Sequence, residues 1–174
     1  MKKHCPFMMV ILGLAAVAIG AESARWKLDQ IDESIISHGP TTLGDGVSEK
    51  SIVLDGRAVI ELSDSAALNA DESGFTASIW FNPYQFEAGQ QMLMGKNCYS
   101  LNDRQWGMII EPDGLLRAYL WQGGWKTITC EVPLKPGHWH QAVLSVSEKQ
   151  ATLFLNGKQA GEVALAKPIP ATEA

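Results

Sequence analysis

The chain has 174 residues and a formal net charge of −5, from 19 acidic side chains against 14 Lys and Arg. This length suffices for one domain with a substantial core. A mildly acidic chain without a basic run excludes nucleic acid as a predicted partner, since binding phosphates requires clustered cations. A basic amphipathic stretch, which would bind a membrane surface, is also missing.

The first residues have the order of a secretory signal peptide. A short basic start at residues 2–4 precedes an apolar run over residues 7–19, and the small residues Gly20 and Ala21 follow. We therefore predict a signal peptide over residues 1–21, cleaved after Gly20 or Ala21. The apolar run is shorter than the roughly 20 residues that span a membrane, although an uncleaved anchor is the alternative. The chain is thus expected in a bacterial periplasm, on the cell surface or outside the cell, without membrane contact after cleavage.

The next segment, residues 22–50, is mixed and polar, with a break at Gly39-Pro40. It is predicted as an N-terminal extension that holds one strand or a short helix around residues 30–36.

From residue 51 onward, short strands alternate with turn signals about every 8–12 residues, which is typical of a sandwich or barrel. Residues 75–82 alternate strictly between two faces, as a half-buried strand does. Asn156-Gly157, between two predicted strands, is a strong hairpin signal. Strands are predicted over residues 51–54, 58–62, 75–82, 90–96, 105–111, 115–122, 126–131, 139–147, 151–156 and 158–165. No helix-length apolar periodicity follows residue 51, so the predicted fold is all-β.

Several of these segments together carry a family resemblance. They are, in order, Val53-Leu54-Asp55-Gly56, FTASIWFNP at residues 75–83, WGMIIEPDG at 106–114, PGHWHQAV at 136–143 and ATLFLNG at 151–157. The set resembles the laminin G-like jelly roll of the concanavalin A-like lectin and glucanase superfamily. The resemblance implies an antiparallel β-sandwich of jelly-roll type over residues 51–174.

The resemblance also implies that the closing strands are missing. Such domains normally continue into further strands, so a central position in the sheet is expected to stay open, with exposed edge groups. The chain is then a truncated product or the front piece of a longer protein. Relatives are often appended to secreted glycoside hydrolases and sulfatases, which implies a downstream catalytic domain as a partner.

No catalytic constellation is found in the sequence. Glucanases of the superfamily carry carboxylates alternating on one strand, whereas Glu61 and Asp64 are at odd spacing and fall on opposite faces. A sulfatase motif, a nucleophile elbow and a zinc-protease helix are absent as well. Enzymatic activity in this chain is therefore not expected, and a glucanase would require a carboxylate pair about 5–10 Å apart.

Two places suggest metal binding. In many laminin G-like domains a structural calcium ion lies near the rim of the sandwich, and Asp55 resembles an early ligand of that ion. The alternative is an ordinary turn aspartate beside Gly56. His138 and His140, two apart on a predicted strand, could meet one metal ion, but a structural role at the sheet edge is favoured because a third ligand is not evident.

The strand over residues 115–122 carries the best functional lead. One of its faces is aliphatic, and the other presents Arg117, Tyr119 and Trp121, with Trp125 just beyond a Gly-Gly turn. A flat aromatic platform with polar neighbours suits a sugar ring, whose C–H face stacks on the aromatic ring. We predict these four residues as a ligand platform.

The sequence thus predicts a non-catalytic module that binds a polysaccharide or another glycan. If the platform were instead covered by the N-terminal extension or by the second sheet, a structural or protein-interaction module without sugar affinity would be favoured. Trp80 and Trp106 are predicted to lie in the core.

Two cysteines, Cys98 and Cys130, follow the predicted signal peptide. An oxidising compartment would permit a disulfide between them, and buried free thiols in a β core are the equally good alternative.

Overall fold

The computed structural model describes residues 9–19, 22–62, 74–98 and 103–169, with the backbone alone given for 9–19, 22, 23, 98 and 103. Its described residues form fourteen strands and no helix, so none of them belongs to a helix that could cross a membrane. All pairings are antiparallel, and two sheets pack as a sandwich, which confirms the predicted all-β jelly roll.

The larger sheet contains eight strands. They are β1 (Met9–Ile19), β2 (Glu22–Trp26), β4 (Thr42–Asp45), β5 (Lys50–Asp55), β7 (Phe75–Pro83), β12 (His140–Val146), β13 (Gln150–Leu155) and β14 (Lys158–Ala164). Their order is β14-β13-β12-β7-β1-β5-β4, and β2 pairs with β1 off this path.

The smaller sheet contains four strands in the order β11-β10-β9-β8. They are β8 (Gln91–Cys98), β9 (Asp103–Ile110), β10 (Leu116–Trp121) and β11 (Trp125–Thr129). A separate ribbon pairs β3 (Ile35–His38) with β6 (Val59–Leu62).

The core lies between the two sheets because the strands alternate apolar and polar residues. On β7 the buried side chains are Phe75, Ala77, Ile79 and Phe81, and on β10 they are Leu116, Ala118 and Leu120. The Phe75 and Trp106 rings, one from each sheet, lie 5.0 Å apart. Trp106 is therefore a core residue as predicted, whereas the prediction is wrong for Trp80. Its half-buried side chain alternates with the core residues of β7 and shares the outer face with Ser78.

All ten strands predicted beyond residue 51 are present, with ends shifted by one or two residues. The predicted hairpin at Asn156-Gly157 is confirmed as well. Asn156 has φ of 52° and Gly157 has φ of 77°, so both turn residues adopt the left-handed conformation that a two-residue hairpin favours.

The N-terminal part of the chain joins the sandwich. Residues 22–50 contribute β2, β3 and β4, with a strand at Ile35–His38 where one strand or a short helix was expected. Strand β1 lies between β7 and β5 and so occupies a central position of the larger sheet. An incomplete jelly roll was expected to leave such a position open.

The two cysteines lie at opposite ends of the smaller sheet. Cys98 ends β8 opposite Asp103, whereas Cys130 donates its N–H to Leu116 at the other end of the sheet. Cys130 carries a buried free thiol. Of the two alternatives left open by the sequence, the structure has the free thiol.

Candidate ligand-binding face

The four residues predicted as a ligand platform lie together on the outer face of the smaller sheet. Arg117, Tyr119 and Trp121 alternate along β10 with the buried aliphatic residues, and each is half-buried. On β11 their register partners are Thr129, Thr127 and Trp125. The described N-terminal strands do not cover Trp125, which is 38% exposed.

The three aromatic rings form a folded cluster instead of a flat platform. The Tyr119 and Trp125 rings are 4.9 Å apart with an interplanar angle of 89°. The Trp121 and Trp125 rings are also 4.9 Å apart, at 68°. Because the planes are steeply inclined, the cluster presents one exposed indole, that of Trp125, supported by Tyr119 and Trp121.

Arg104 belongs to this cluster, although the sequence did not indicate it. Its guanidinium carbon lies 4.8 Å from the Trp121 ring centroid and 6.0 Å from that of Trp125. These distances are within the range of a cation–π contact. The guanidinium group therefore places positive charge and N–H groups beside the exposed indole.

A β-bulge explains why Arg104 was missed. By strict alternation Arg104 would share the inward face of β9 with Trp106. The register with β8 shifts, however, from Lys96 opposite Trp106 to Asn97 opposite Arg104, which leaves Gln105 as an extra residue. A bulge of this kind re-aims the adjacent side chains.

Tyr119 is held in place by three neighbours. Its hydroxyl donates to the Met92 Sδ atom at 3.5 Å and is hydrogen-bonded by Asn97. Gly107 lies opposite Tyr119 on β9, and a Cβ atom there would overlap the phenol ring. Burial raises the pKa of Tyr119 to about 12, so the hydroxyl stays protonated at physiological pH.

Arg117 is engaged by residues of its own sheet. Its guanidinium forms an ion pair with Glu111 at 2.6 Å, and its Nε donates to Thr129 Oγ1 at 3.1 Å. Gln90 donates a further hydrogen bond to Glu111 at 3.0 Å. Arg117 therefore fixes the position of β10 relative to its neighbours, and its charge is already balanced.

Asp55, the residue predicted as a calcium ligand, is paired with Arg57. Both carboxylate oxygens accept hydrogen bonds from Arg57, one from its backbone N–H and the other from its guanidinium group. This contact with Arg57 lowers the pKa of Asp55. Within the described part of the chain, no three acidic, histidine or cysteine side chains cluster to hold a metal ion. The environment fits a turn aspartate.

His138 and His140 also have structural environments. His138 precedes strand β12 and its Nδ1 contacts the carbonyl of Pro136. His140 is buried against Phe81, and its two ring nitrogens contact Lys135 and Asn156. The favoured interpretation, a structural role at the sheet edge, agrees with these contacts.

The comparison with protein families identifies a matching family. A family model described as the concanavalin A-like lectin/glucanases superfamily, of the laminin G type, matches residues 54–174. No curated protein matches the chain.

Two of the solved structures that match the chain illustrate the shared fold. One is domain 4 of AbnA, a GH43 extracellular arabinanase from Geobacillus stearothermophilus, in complex with arabinotriose, at 21% identity and a TM-score of 0.61. The other is the binding domain of Botulinum Neurotoxin DC in complex with SialylT, at 13% identity and a TM-score of 0.54. Each match covers 79% of this chain, but only 64% and 36% of the respective neighbours. At these identities the likeness shows the fold.

Proposed function

The chain belongs to the concanavalin A-like lectin/glucanase superfamily, and we propose that it is an exported module that binds a glycan at Trp125. The observation that carries this proposal is the exposed Trp125 indole on the outer face of the smaller sheet, supported by Tyr119 and Trp121. One structural neighbour is domain 4 of an arabinanase in complex with arabinotriose, and the other is a toxin binding domain in complex with SialylT, which supports the same function here.

The chemistry of the cluster suits one sugar ring. The C–H face of a pyranose or furanose can stack on the Trp125 indole, which is already partly desolvated by its aromatic neighbours. Thr127, exposed beside Trp125 on β11, offers a hydrogen bond to a hydroxyl group, and Arg104 places positive charge next to Trp121. Because one indole supplies the stacking, we expect modest affinity for a short oligosaccharide and avidity only when several modules are joined.

Export and an accessory role complete the proposal. The apolar segment before residue 20 supports export, and the family resemblance supports a role beside a catalytic domain of a polysaccharide-active protein. Sequencing the N-terminus of the chain recovered from a bacterial periplasm or culture medium tests the export step. A mature N-terminus after Gly20 or Ala21 is the expected result.

The glycan function is tested by titrating tryptophan fluorescence with arabino-oligosaccharides and with plant, algal and sialylated glycans, with and without calcium. Trp125→Ala is expected to weaken binding at least tenfold, equivalent to about 1.4 kcal/mol. Trp80→Ala is the matched control, because Trp80 is half-buried on the outer face of the other sheet. Circular dichroism verifies that both variants fold.

Two results would contradict the proposal. Equal binding by the Trp125→Ala and wild-type chains would show that Trp125 is not part of the binding site. No response of a folded chain to any glycan would show that the chain does not bind these glycans. The second result would favour the protein-interaction module.

A further inference from the structure

Strand β1 is the only link between two halves of the larger sheet among the described residues. Seven residues of β1 are in register with β7, from Val10 opposite Pro83 to Ala18 opposite Thr76. Four residues are in register with β5 on the other side, from Met9 opposite Asp55 to Leu12 opposite Ile52. Without β1, both β5 and β7 would present unpaired backbone groups.

The same segment is the apolar part of the predicted signal peptide, and it cannot serve in both places. A leader removed at export leaves the sheet, and the position between β5 and β7 then becomes vacant. Resting on the export step of the proposed function, we propose that this position is a strand-acceptor site. After export it binds an extended apolar segment of another polypeptide, by strand addition.

The neighbouring strands define the chemistry of this segment. The residues of β7 and β5 that face the core beside β1 are fully buried or nearly so, among them Ile79, Phe81 and Ile52. Paired positions on adjacent strands share a face, so the entering strand must be apolar opposite these residues. Met9–Ile19 itself has no charged residue. The partner is therefore an uncharged segment of about ten residues, antiparallel to both β5 and β7.

The described end of the chain does not lead toward this site. Gln122, in the β10–β11 hairpin of the smaller sheet, donates to the carbonyl of Lys167 at 2.8 Å and accepts from the N–H of Ala166. The segment after β14 is therefore held against the other sheet. None of the described residues after β14 is therefore placed to supply the strand, which we assign to a second polypeptide.

The register of β1 with its neighbours suggests two adjacent positions at which a charged residue should have different effects. Ala15 is in register with Ile79 on β7 and Trp26 on β2, both buried, whereas Ala16 is in register with the half-buried Ser78 and the exposed Arg25. A charge at position 15 is therefore expected to be excluded from the sheet, and a charge at position 16 to be tolerated.

The test uses the full chain, purified uncleaved, with a specific protease site replacing residues 20–21. After cleavage, the folded protein is mixed with a fluorescein-labelled peptide of residues 9–19, extended by lysines for solubility, and with its Ala15→Asp and Ala16→Asp versions. We expect one labelled peptide per chain for the parent and Ala16→Asp peptides, and at least tenfold weaker incorporation of the Ala15→Asp peptide. If the cleaved chain loses its fold, refolding in the presence of each peptide is measured instead, with the same expected order.

Three results would overturn the proposal. The Ala15→Asp and Ala16→Asp peptides could be incorporated equally, or a chain that is folded or refolds could incorporate no peptide. An exported chain could also keep residues 9–19, which would fill the position permanently. None of these results depends on Trp125, so a failure of glycan binding is recognised separately by the fluorescence titration.

Discussion

His140 shows how a single buried side chain couples the fold to pH. The Asn156 Oδ1 atom accepts the N–H of Gln141 at 2.9 Å, so the Asn156 amide nitrogen is directed at His140 Nδ1. Nδ1 thus faces an amide donor, while Nε2 lies 3.2 Å from both the carbonyl oxygen and the donating N–H of Lys135. A proton on Nδ1 would face the Asn156 amide donor.

We therefore predict an acid-dependent loss of stability through His140. Burial lowers the pKa of His140 below its ordinary value of 6.5, so the unfolded chain binds a proton that the folded chain resists. The contribution of neutral His140 to the free energy of unfolding is therefore complete above pH 6.5, and it is lost as the pH falls through the lowered pKa of the folded state. Urea denaturation between pH 8 and pH 5 should show a steeper loss for wild type than for His140→Gln. Parallel pH profiles would contradict the assignment.

Gly107 has no side chain, and this leaves room for the phenol ring of Tyr119 above it. Gly107→Ala places a methyl group into the phenol ring of Tyr119, which must move and thereby withdraw support from Trp125. Overpacking of this kind costs roughly 1–3 kcal/mol. Urea denaturation should show this loss, together with weaker glycan binding. In a Tyr119→Ala background the same substitution should cost little, and an undiminished cost there would argue against the contact.

At the scale of strands, the regular alternation of apolar and polar residues allowed most strands to be predicted. Features that depend on bulges or on cross-strand register were not predicted. Arg117, Tyr119 and Trp121 were placed on one face because β10 alternates without interruption. Arg104 was missed because the bulge at Gln105 has no sequence signal. The relation of Gly107 to Tyr119 was missed too, since cross-strand register between β9 and β10 depends on the whole sheet.

The β13–β14 hairpin allows a direct test of turn chemistry. Gly157 has φ of 77° with open space around the position of a Cβ atom, so Gly157→Ala adds backbone strain without a steric overlap. The expected cost is about 1 kcal/mol. Gly124→Ala is the matched control, since Gly124 has equally open surroundings but lies outside the left-handed region. Equal free energies of unfolding for the two variants would contradict this account.

At the scale of the whole molecule, local pattern could not determine the role of the N-terminal apolar run. A short run of apolar residues is compatible with a signal peptide and with a strand buried on both faces, because neither requires alternation. The position of β1 between β5 and β7 depends on pairing with residues more than thirty positions away. Fold class was accessible from the sequence, but which segment completes the sheet was not.

Long-range register between strands also determines whether the two cysteines can form a disulfide. From Cys130 the register runs through Leu116 and Ile110 to Gln91, and Cys98 lies seven residues farther along β8. At about 3.3 Å per residue this offset along the strand alone separates the two cysteines by about 23 Å, whereas a disulfide requires Cα atoms within about 7 Å. The sandwich would have to unfold before they could pair.

We therefore predict that the chain without its predicted signal peptide contains two thiols even after oxidative folding. Thiol titration in denaturant without reductant should count both Cys98 and Cys130, whereas the native chain should protect Cys130, which is 2% exposed. Addition of a reducing agent should leave the melting temperature unchanged. Loss of both thiols in monomeric protein, with a lower melting temperature on reduction, would require a different register across the smaller sheet. The outer face that carries Trp125 would then have to be rebuilt as well, because the same β9–β10–β11 register defines it.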